Sequence, residues 1–153
     1  MPYPRLVQIT VAHVGAPGKD GFGTLVDMYL ERSAACARCQ ARAFRTEAAL
    51  LEWLARQAGR TQPVAVMLDS RGRAMDSEKF AAWIGARRDE GAQHLVFAIG
   101  PADGWSEEAR KRARLLLSLG PMTMAHALAR LVLAEQIYRA LTILAGHPYH
   151  CGH

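Results

Sequence analysis

The feature that most constrains the fold of this chain is a set of short, uninterrupted apolar runs separated by helical patterns. The runs read RLVQITVAHVG, PVAVMLD, HLVFAIG and LLLSLG, with a weaker one, ARAFR, after the first. Continuous apolar strands alternating with helices are typical of a parallel sheet that is covered on both faces. The 153 residues are enough to bury a substantial core. We therefore predict one α/β domain over residues 1–153, with a mostly parallel sheet and helices on both faces.

Five helical patterns lie between or after these runs. Their apolar residues recur at helical spacing, and several begin at a side chain that caps helix N-termini. The helices are predicted from about Phe22 to Cys39, from the Thr46 cap onward, from Asp76 or Ser77 onward, from Ser106 through about Arg114, and from the PMT turn to Leu144. The segment SRGRAM, between the second long strand and the third helix, is predicted to be a loop.

Composition narrows the class of protein. Arg130, Glu135 and Arg139 interrupt the longest apolar segment, so no stretch reaches the roughly 20 apolar residues that a membrane span needs. Three cysteines do not indicate a disulfide framework, and the N-terminus lacks the apolar core of a signal peptide. The expected location is the cytoplasm.

The positive charge is concentrated at one end of the chain. Of 19 basic and 14 acidic residues, all but six basic and one acidic residue precede Arg110, which leaves 13 of each sign in that part. The six cations that follow are Arg110, Lys111, Arg112, Arg114, Arg130 and Arg139. A one-sided basic excess suits a polyanion such as a phosphate backbone, although a solvated helix face would have the same composition.

Three glycine-containing loops follow predicted strands: LDSRG, GPADGWS and GPMTM. In an open α/β sheet the ligand crevice lies outside the carboxyl ends of the strands. The spacing of Gly100 and Gly104 is not that of the dinucleotide fingerprint GxGxxG, which argues against NAD. Trp105 in the same loop could line a pocket or stack on a base.

The long C-terminal helix carries two polar pairs at a spacing of four residues. His126 and Arg130 share a face near the expected crevice, where His126 either functions or packs locally and Arg130 could hold a phosphate. Glu135 and Arg139 are predicted to form a surface ion pair.

The cysteines and the C-terminal tail leave a metal site open. Cys36 and Cys39 form a CxxC, and the tail supplies His150, Cys151 and His153, which together could in principle give zinc four ligands. CARC falls within a helical pattern, however, where residues three apart merely share a face. No metal is therefore predicted.

Three segments in this order and spacing resemble the RlmH family of SPOUT-class methyltransferases. They are VMLDSRGRAMDSEKFA, FAIGPADGWS and LSLGPMTMAHALARLVLAEQIYRALTILAGHPYH. The resemblance implies methylation of N3 of a pseudouridine in 23S ribosomal RNA, with S-adenosylmethionine as the methyl donor. It further implies a SPOUT fold with a trefoil knot in the C-terminal half and a homodimer, with 23S rRNA in the ribosome or large subunit as partner and neither membrane nor DNA.

The same resemblance implies roles for individual residues. His126 and His150 match residues of the catalytic site, and Tyr149 and His150 match residues that contact RNA, to which the basic Arg130 is added. The positions that match the cofactor site are Leu68, Gly100, Leu119, Gly120, Pro121, Met122, Thr123 and Met124.

The chain departs from the family pattern at a few positions, and alternatives to the family function follow from them. Pro101 replaces a glycine, Gly120 and Pro121 change the last loop, and Cys151 replaces the basic residue that follows HPYH. The alternatives are a SPOUT methyltransferase for another RNA position, an RNA- or ribosome-binding module that has lost turnover, and a zinc-stabilised α/β protein.

Overall fold

The computed structural model describes residues 8–15, 21–57 and 61–150 as a five-stranded sheet with helices on both faces. The elements are β1 (Gln8–Val14), α1 (Gly21–Ser33), β2 (Arg38–Phe44), α2 (Glu47–Arg56), β3 (Val64–Ala74), α3 (Ser77–Asp89), β4 (His94–Ile99), α4 (Glu107–Arg112), β5 (Leu115–Ser118), α5 (His126–Ala145) and a 3-10 turn (Pro148–His150). The strand order is β2-β1-β4-β3-β5, and every pairing is parallel. The predicted fold class is confirmed.

The inner strands are largely apolar on both sides because both sides are buried. In β4, Leu95, Phe97 and Ile99 pack under α1, α3 and α5, whereas Val96 and Ala98 face the core under α2 and α4. Successive side chains of a strand point to opposite faces, so most positions of a strand covered on both faces are apolar. This explains why the runs in the sequence are continuous. The edge strand β2 is largely exposed, and β1 includes two buried polar side chains.

The first helix is shorter than predicted. It ends at Ser33, whose hydroxyl donates to the carbonyl of Tyr29, and β2 begins at Arg38. Cys39 therefore lies in the sheet, opposite Ile9 of β1, and not on a helix. The prediction of a helix to Cys39 is wrong because pairing with β1 overrides the helical spacing of the apolar residues.

β3 extends beyond the predicted strand into the segment that was expected to be a loop. Leu117 of β5 pairs with both Leu68 and Arg73, so the strand between those two residues bulges and returns to the same partner. At the crossing, a Cβ on Gly72 would lie 2.5 Å from the carbonyl oxygen of Leu116. No residue larger than glycine fits there. The knot and the second subunit that the resemblance implies stay predictions.

The longest described helix, α5, begins beside the carboxyl edge of the sheet and ends at Gly146 in a left-handed conformation. It has 20 residues, and buried positions such as Leu133 and Ile137 recur along it. None of the helices in the described part of the chain is long and apolar enough to cross a membrane.

Candidate active site

The ends of β3 and β4 and the start of α5 enclose a cavity of about 550 Å³ at the carboxyl edge of the sheet. Leu68 is the last residue of β3 that pairs with β4, Gly100 directly follows β4, and His126 is the first residue of the helix. The predicted crevice outside the strand ends is thus present, and the loop from Gly100 to Trp105 forms one of its walls.

A second cavity of about 220 Å³ adjoins the first and shares Leu68, Ile99 and Met124 with it. Its remaining wall is the loop after β5. The hydroxyl of Ser118, the last residue of β5, donates to the Gly120 carbonyl and accepts from the Gly120 N–H, both at 3.1 Å. The predicted cofactor positions that line one or both cavities are Leu68, Gly100, Leu119, Gly120, Met122, Thr123 and Met124. Pro121 lines neither.

Trp105 joins the two strand ends beneath the first cavity. It is 7% exposed, and its indole Nε1–H donates to the Leu68 carbonyl at 2.9 Å. A Cβ on Gly100 would lie 2.6 Å from the indole Cε2. Because the ring is packed against Gly100 and its N–H is engaged, Trp105 is a wall of the pocket, which is the first of the two predicted roles.

Asp69, which was not among the predicted site residues, brings a carboxylate to both cavities. Its side chain is 6% exposed and accepts from the backbone N–H of Arg71 at 2.9 Å. The guanidinium of Arg110 lies 2.9 Å from its other oxygen. This pair fixes α4 against the end of β3. A carboxylate directly after a buried strand was the signal available in the sequence.

His126 is exposed at the rim of the first cavity, and the tautomer of its ring can be assigned. Its Nε2 lies 2.9 Å from the carbonyl oxygen of Gly100. Since a carbonyl only accepts hydrogen bonds, Nε2 carries the proton of the neutral ring. The lone pair therefore resides on Nδ1. His13, the penultimate residue of β1, was also not predicted, and it packs edge-on against this ring with centroids 5.9 Å apart.

Arg130 does not lie on the crevice surface as predicted. Its side chain is 7% exposed, and Nη1 lies 3.1 and 3.2 Å from the two ring nitrogens of His13. One turn beyond His126, the helix face that carries Arg130 has turned towards the sheet. In this protomer the guanidinium is buried against His13 and away from solvent. The assignment of Arg130 to RNA binding stays a prediction.

The tail is folded back on α5 around Glu135. The predicted Glu135–Arg139 ion pair is present at 2.8 Å but is only about one-fifth exposed, and the Tyr149 hydroxyl donates to the same carboxylate at 2.8 Å. Tyr149 also packs against Tyr138, with ring centroids 4.6 Å apart.

The contacts with Glu135 change the pKa values of both partners. Burial and the hydrogen bond to Glu135 raise the pKa of Tyr149, and the hydrogen bond to Glu135 raises the pKa of Arg139. Tyr149 is therefore a neutral donor at physiological pH.

The cysteines do not form part of a metal site in the described part of the chain. Cys36 lies exposed in a turn, whereas Cys39 is partly buried in β2, where burial raises the pKa of its thiol to about 12. No group of three or more potential ligands occurs among the described residues. Cys151 and His153 lie outside them, and of His150 only the backbone is described.

Most of the C-terminal cations are engaged within the protomer. Arg110, Arg114 and Arg139 pair with Asp69, Glu90 and Glu135, and Arg112 donates to the carbonyl of Pro63. With Arg130 buried, Lys111 is the remaining member of the six. Counting charges along the sequence therefore does not reveal which of them are engaged by a partner.

Comparison with known proteins gives a family and a fold. Residues 7–150 match the family model described as "Predicted SPOUT methyltransferase". The chain is 45% identical to the ribosomal RNA large subunit methyltransferase H of Koribacter versatilis, over 96% of this chain and 100% of that one. It is 56% identical to the protein of the same name from Rhodospirillum centenum, over 57% of each.

Two solved structures share the fold. The SpoU methyltransferase AviRb from Streptomyces viridochromogenes, solved with AdoMet, superposes with a TM-score of 0.51 at 14% identity, over 96% of this chain and 61% of that one. A probable methylase family protein from Haemophilus influenzae superposes with a TM-score of 0.56 at 9% identity, over 95% and 70%.

The contact between Trp105 and Gly100 can be tested by adding one methyl group. Gly100→Ala should force the indole to move, at a cost of about 1–3 kcal/mol in the free energy of unfolding. Gly23→Ala is the matched control, because a Cβ at this helical position meets nothing within 4 Å. Chemical denaturation monitored by tryptophan fluorescence measures both. Equal stability of the two variants would contradict the described packing.

Proposed function

The chain belongs to the SPOUT methyltransferase family, and we propose that its reaction is methylation of N3 of a pseudouridine in 23S ribosomal RNA with S-adenosylmethionine as donor. The observation that carries this proposal is the 45% identity to a ribosomal RNA large subunit methyltransferase H along that protein's full length. The cavities at the carboxyl edge of the sheet supply the corresponding site.

The residues around the two cavities suit the proposed cofactor. The larger cavity, at about 550 Å³, lies within the range of roughly 300–1,000 Å³ that pockets for small molecules and cofactors occupy. Apolar Leu68, Ile99 and Met124 are suited to packing against an adenine, and Gly100 leaves its backbone open to close approach. When bound, S-adenosylmethionine supplies a methyl group on a positively charged sulfur. The residues that would hold it are those of the predicted cofactor set that line the cavities: Leu68, Gly100, Leu119, Gly120, Met122, Thr123 and Met124.

The nucleophile requires a base, because N3 of the uracil ring carries a proton. His126 stands at the rim of the cavity with the lone pair of its neutral ring on Nδ1, since Nε2 donates to Gly100. We infer that Nδ1 accepts the N3 proton as N3 attacks the methyl group. His13 and Gly100, which both contact the ring, hold it in place. His150 stays a second candidate on the strength of the resemblance alone.

The position of the tail favours a site that is completed by a second copy of the chain. Tyr149 packs on Tyr138, which is 12 residues along α5 from His126, or about 18 Å at the helical rise. In its own protomer, Tyr149 is thus far from the cavity that His126 borders. A homodimer, with the knot that accompanies this fold in the resemblance, would bring the partner's tail to that cavity.

The proposed substrate indicates where in the cell the protein works and which alternative functions must be tested. Because the 23S rRNA is part of the large ribosomal subunit, we place the protein in the cytoplasm with the ribosomes. Methylation of another RNA position is the nearest alternative. RNA binding without turnover is a second alternative, which the departures at Pro101 and Cys151 raise.

Transfer of labelled methyl groups tests the function. Ribosomes that lack the modification should accept label from S-adenosylmethionine, and mapping should place the label on N3 of one pseudouridine in 23S rRNA. Naked 23S rRNA alongside shows whether the assembled particle is needed. Label on another nucleotide would move the substrate within the class, and binding of the particle without transfer would support the binding module.

Replacement of His126 by glutamine tests the proposed base. His126→Gln keeps an N–H group that can reach the Gly100 carbonyl but removes the lone pair on Nδ1. The turnover number should fall by about 10²–10⁴, the usual contribution of general acid–base catalysis. S-adenosylhomocysteine binding, measured by calorimetry, should be unchanged. Turnover within about threefold of the original enzyme would exclude His126 as the base.

Mixing two inactive variants tests whether the tail acts across a dimer. His126→Gln and Tyr149→Ala are each expected to lose most activity. If the tail serves the partner's cavity, a mixed dimer has one site with both changes and one with neither, so random mixing should restore about a quarter of the sites. If the tail serves its own cavity, every site keeps one defect and mixing should restore nothing.

A further inference from the structure

We propose that the free edge of the sheet at β2 binds backbone phosphates of the RNA substrate through Arg38, Arg42 and Arg45. The inference rests on the proposed function, since it assigns part of the surface that the rRNA occupies. All three side chains are exposed. None makes an ion pair with any other residue in the described part of the chain, whereas Arg110, Arg114 and Arg139 each pair with a carboxylate.

The β2 arginines lie along the outer edge of the sheet. β2 ends the strand order and pairs with β1 alone among the described strands. Arg38 and Arg42 are four residues apart and so share a face, about 13 Å apart at the rise of a strand. Arg45 directly follows the strand. No acidic residue occurs between Arg38 and Arg45, so nothing in this segment offsets the three charges.

Arg42 is held in place by stacking on two aromatic rings. Its Cζ lies 5.3 Å from the centroid of the Trp53 ring and 5.6 Å from that of Phe44. A guanidinium that stacks on an aromatic face keeps its N–H groups at the rim of its plane, available to a phosphate. Part of the entropic cost of ordering the side chain is therefore already met before RNA binds.

The carboxyl end of β2 lies at the same edge of the sheet as the active site. Because the strands are parallel, Phe44 and Arg45 end level with Val14 and the end of β4. β2 and β4 are separated by β1, which places them about 10 Å apart at the usual strand spacing. A nucleotide strand with its base in the cavity can thus run its neighbouring phosphates over Arg42 and Arg45.

Charged residues on an edge strand also have a second use, which is to prevent sheets of different molecules from pairing. The two roles differ in their dependence on the sign of the charge. Glutamate protects an edge as well as arginine does, but it repels phosphate. Replacing the arginines by glutamate therefore tests RNA binding separately, because the edge strand stays charged.

The test is the double variant Arg42→Glu/Arg45→Glu in the full chain. Its control is Arg88→Glu/Arg114→Glu, which makes the same change in charge at the partly exposed Arg88 and the exposed Arg114. These residues precede β4 and β5, at the opposite edge of the sheet. Binding to large ribosomal subunits is measured by filter retention over a range of salt concentrations, and methyl transfer is measured on the same particles. Calorimetry with S-adenosylhomocysteine confirms that each variant keeps an intact site.

The proposal predicts that the double variant binds the particle at least about tenfold more weakly than the control. The slope of log affinity against log salt concentration should also be shallower by about 1.5 to 2, as expected for two lost phosphate contacts. Equal affinity and equal salt dependence of variant and control would overturn it. Failure of the proposed function is a separate result. If the unmodified chain transfers no methyl group, weaker binding by the β2 variant alone would still support this RNA surface.

Discussion

The active site depends on the close crossing of two backbone segments, the end of β3 and the middle of β5. Gly72 passes so near the carbonyl of Leu116 that a single methyl group would not fit. Because of this crossing, the loop that leaves β5 emerges beside Leu68 and the end of β4. The two cavities are thus enclosed by three backbone segments that hold one another, rather than by side chains on a mobile loop.

This construction suits the chemistry of methyl transfer. The displacement at a sulfonium methyl group demands alignment of donor and acceptor more than it demands charged groups, and alignment is what rigid backbone walls provide. The polar contacts around the cavities reinforce the walls. Trp105 joins the Leu68 carbonyl to the Gly100 loop, and Arg110 binds Asp69 to α4. Among the groups at the rim, His126 is the one to which our proposal assigns the proton transfer.

The sequence was sufficient to predict the sheet and most of the cavity walls, for physical reasons. Strands buried on both faces appear in the sequence as continuous apolar runs, and the loops at the carboxyl ends of parallel strands lie at the same edge of the sheet. The end of α1 and the extension of β3 were not predictable in this way. Cys39 joins β2 because β1 offers it a partner, and Arg73 pairs with Leu117 although the strand bulges between Leu68 and Arg73. Both are consequences of contacts between residues far apart in sequence, which local patterns do not encode.

The same limit applies to charge, with a consequence for function. By number, the cations of the C-terminal third outweigh its acids, yet Arg110 and Arg139 are neutralised by carboxylates and Arg130 is buried against His13. These arginines stabilise the protomer. Near β2 the sequence shows no overall excess, because acids elsewhere in the first part of the chain balance it, but Arg42 itself has no acidic partner among the described residues and stacks on Trp53. A ligand responds to the field of unpaired charges at the surface. The two sets of arginines look alike in the sequence but have different roles. Those of the C-terminal third stabilise the protomer, and those of β2 are available to bind the RNA.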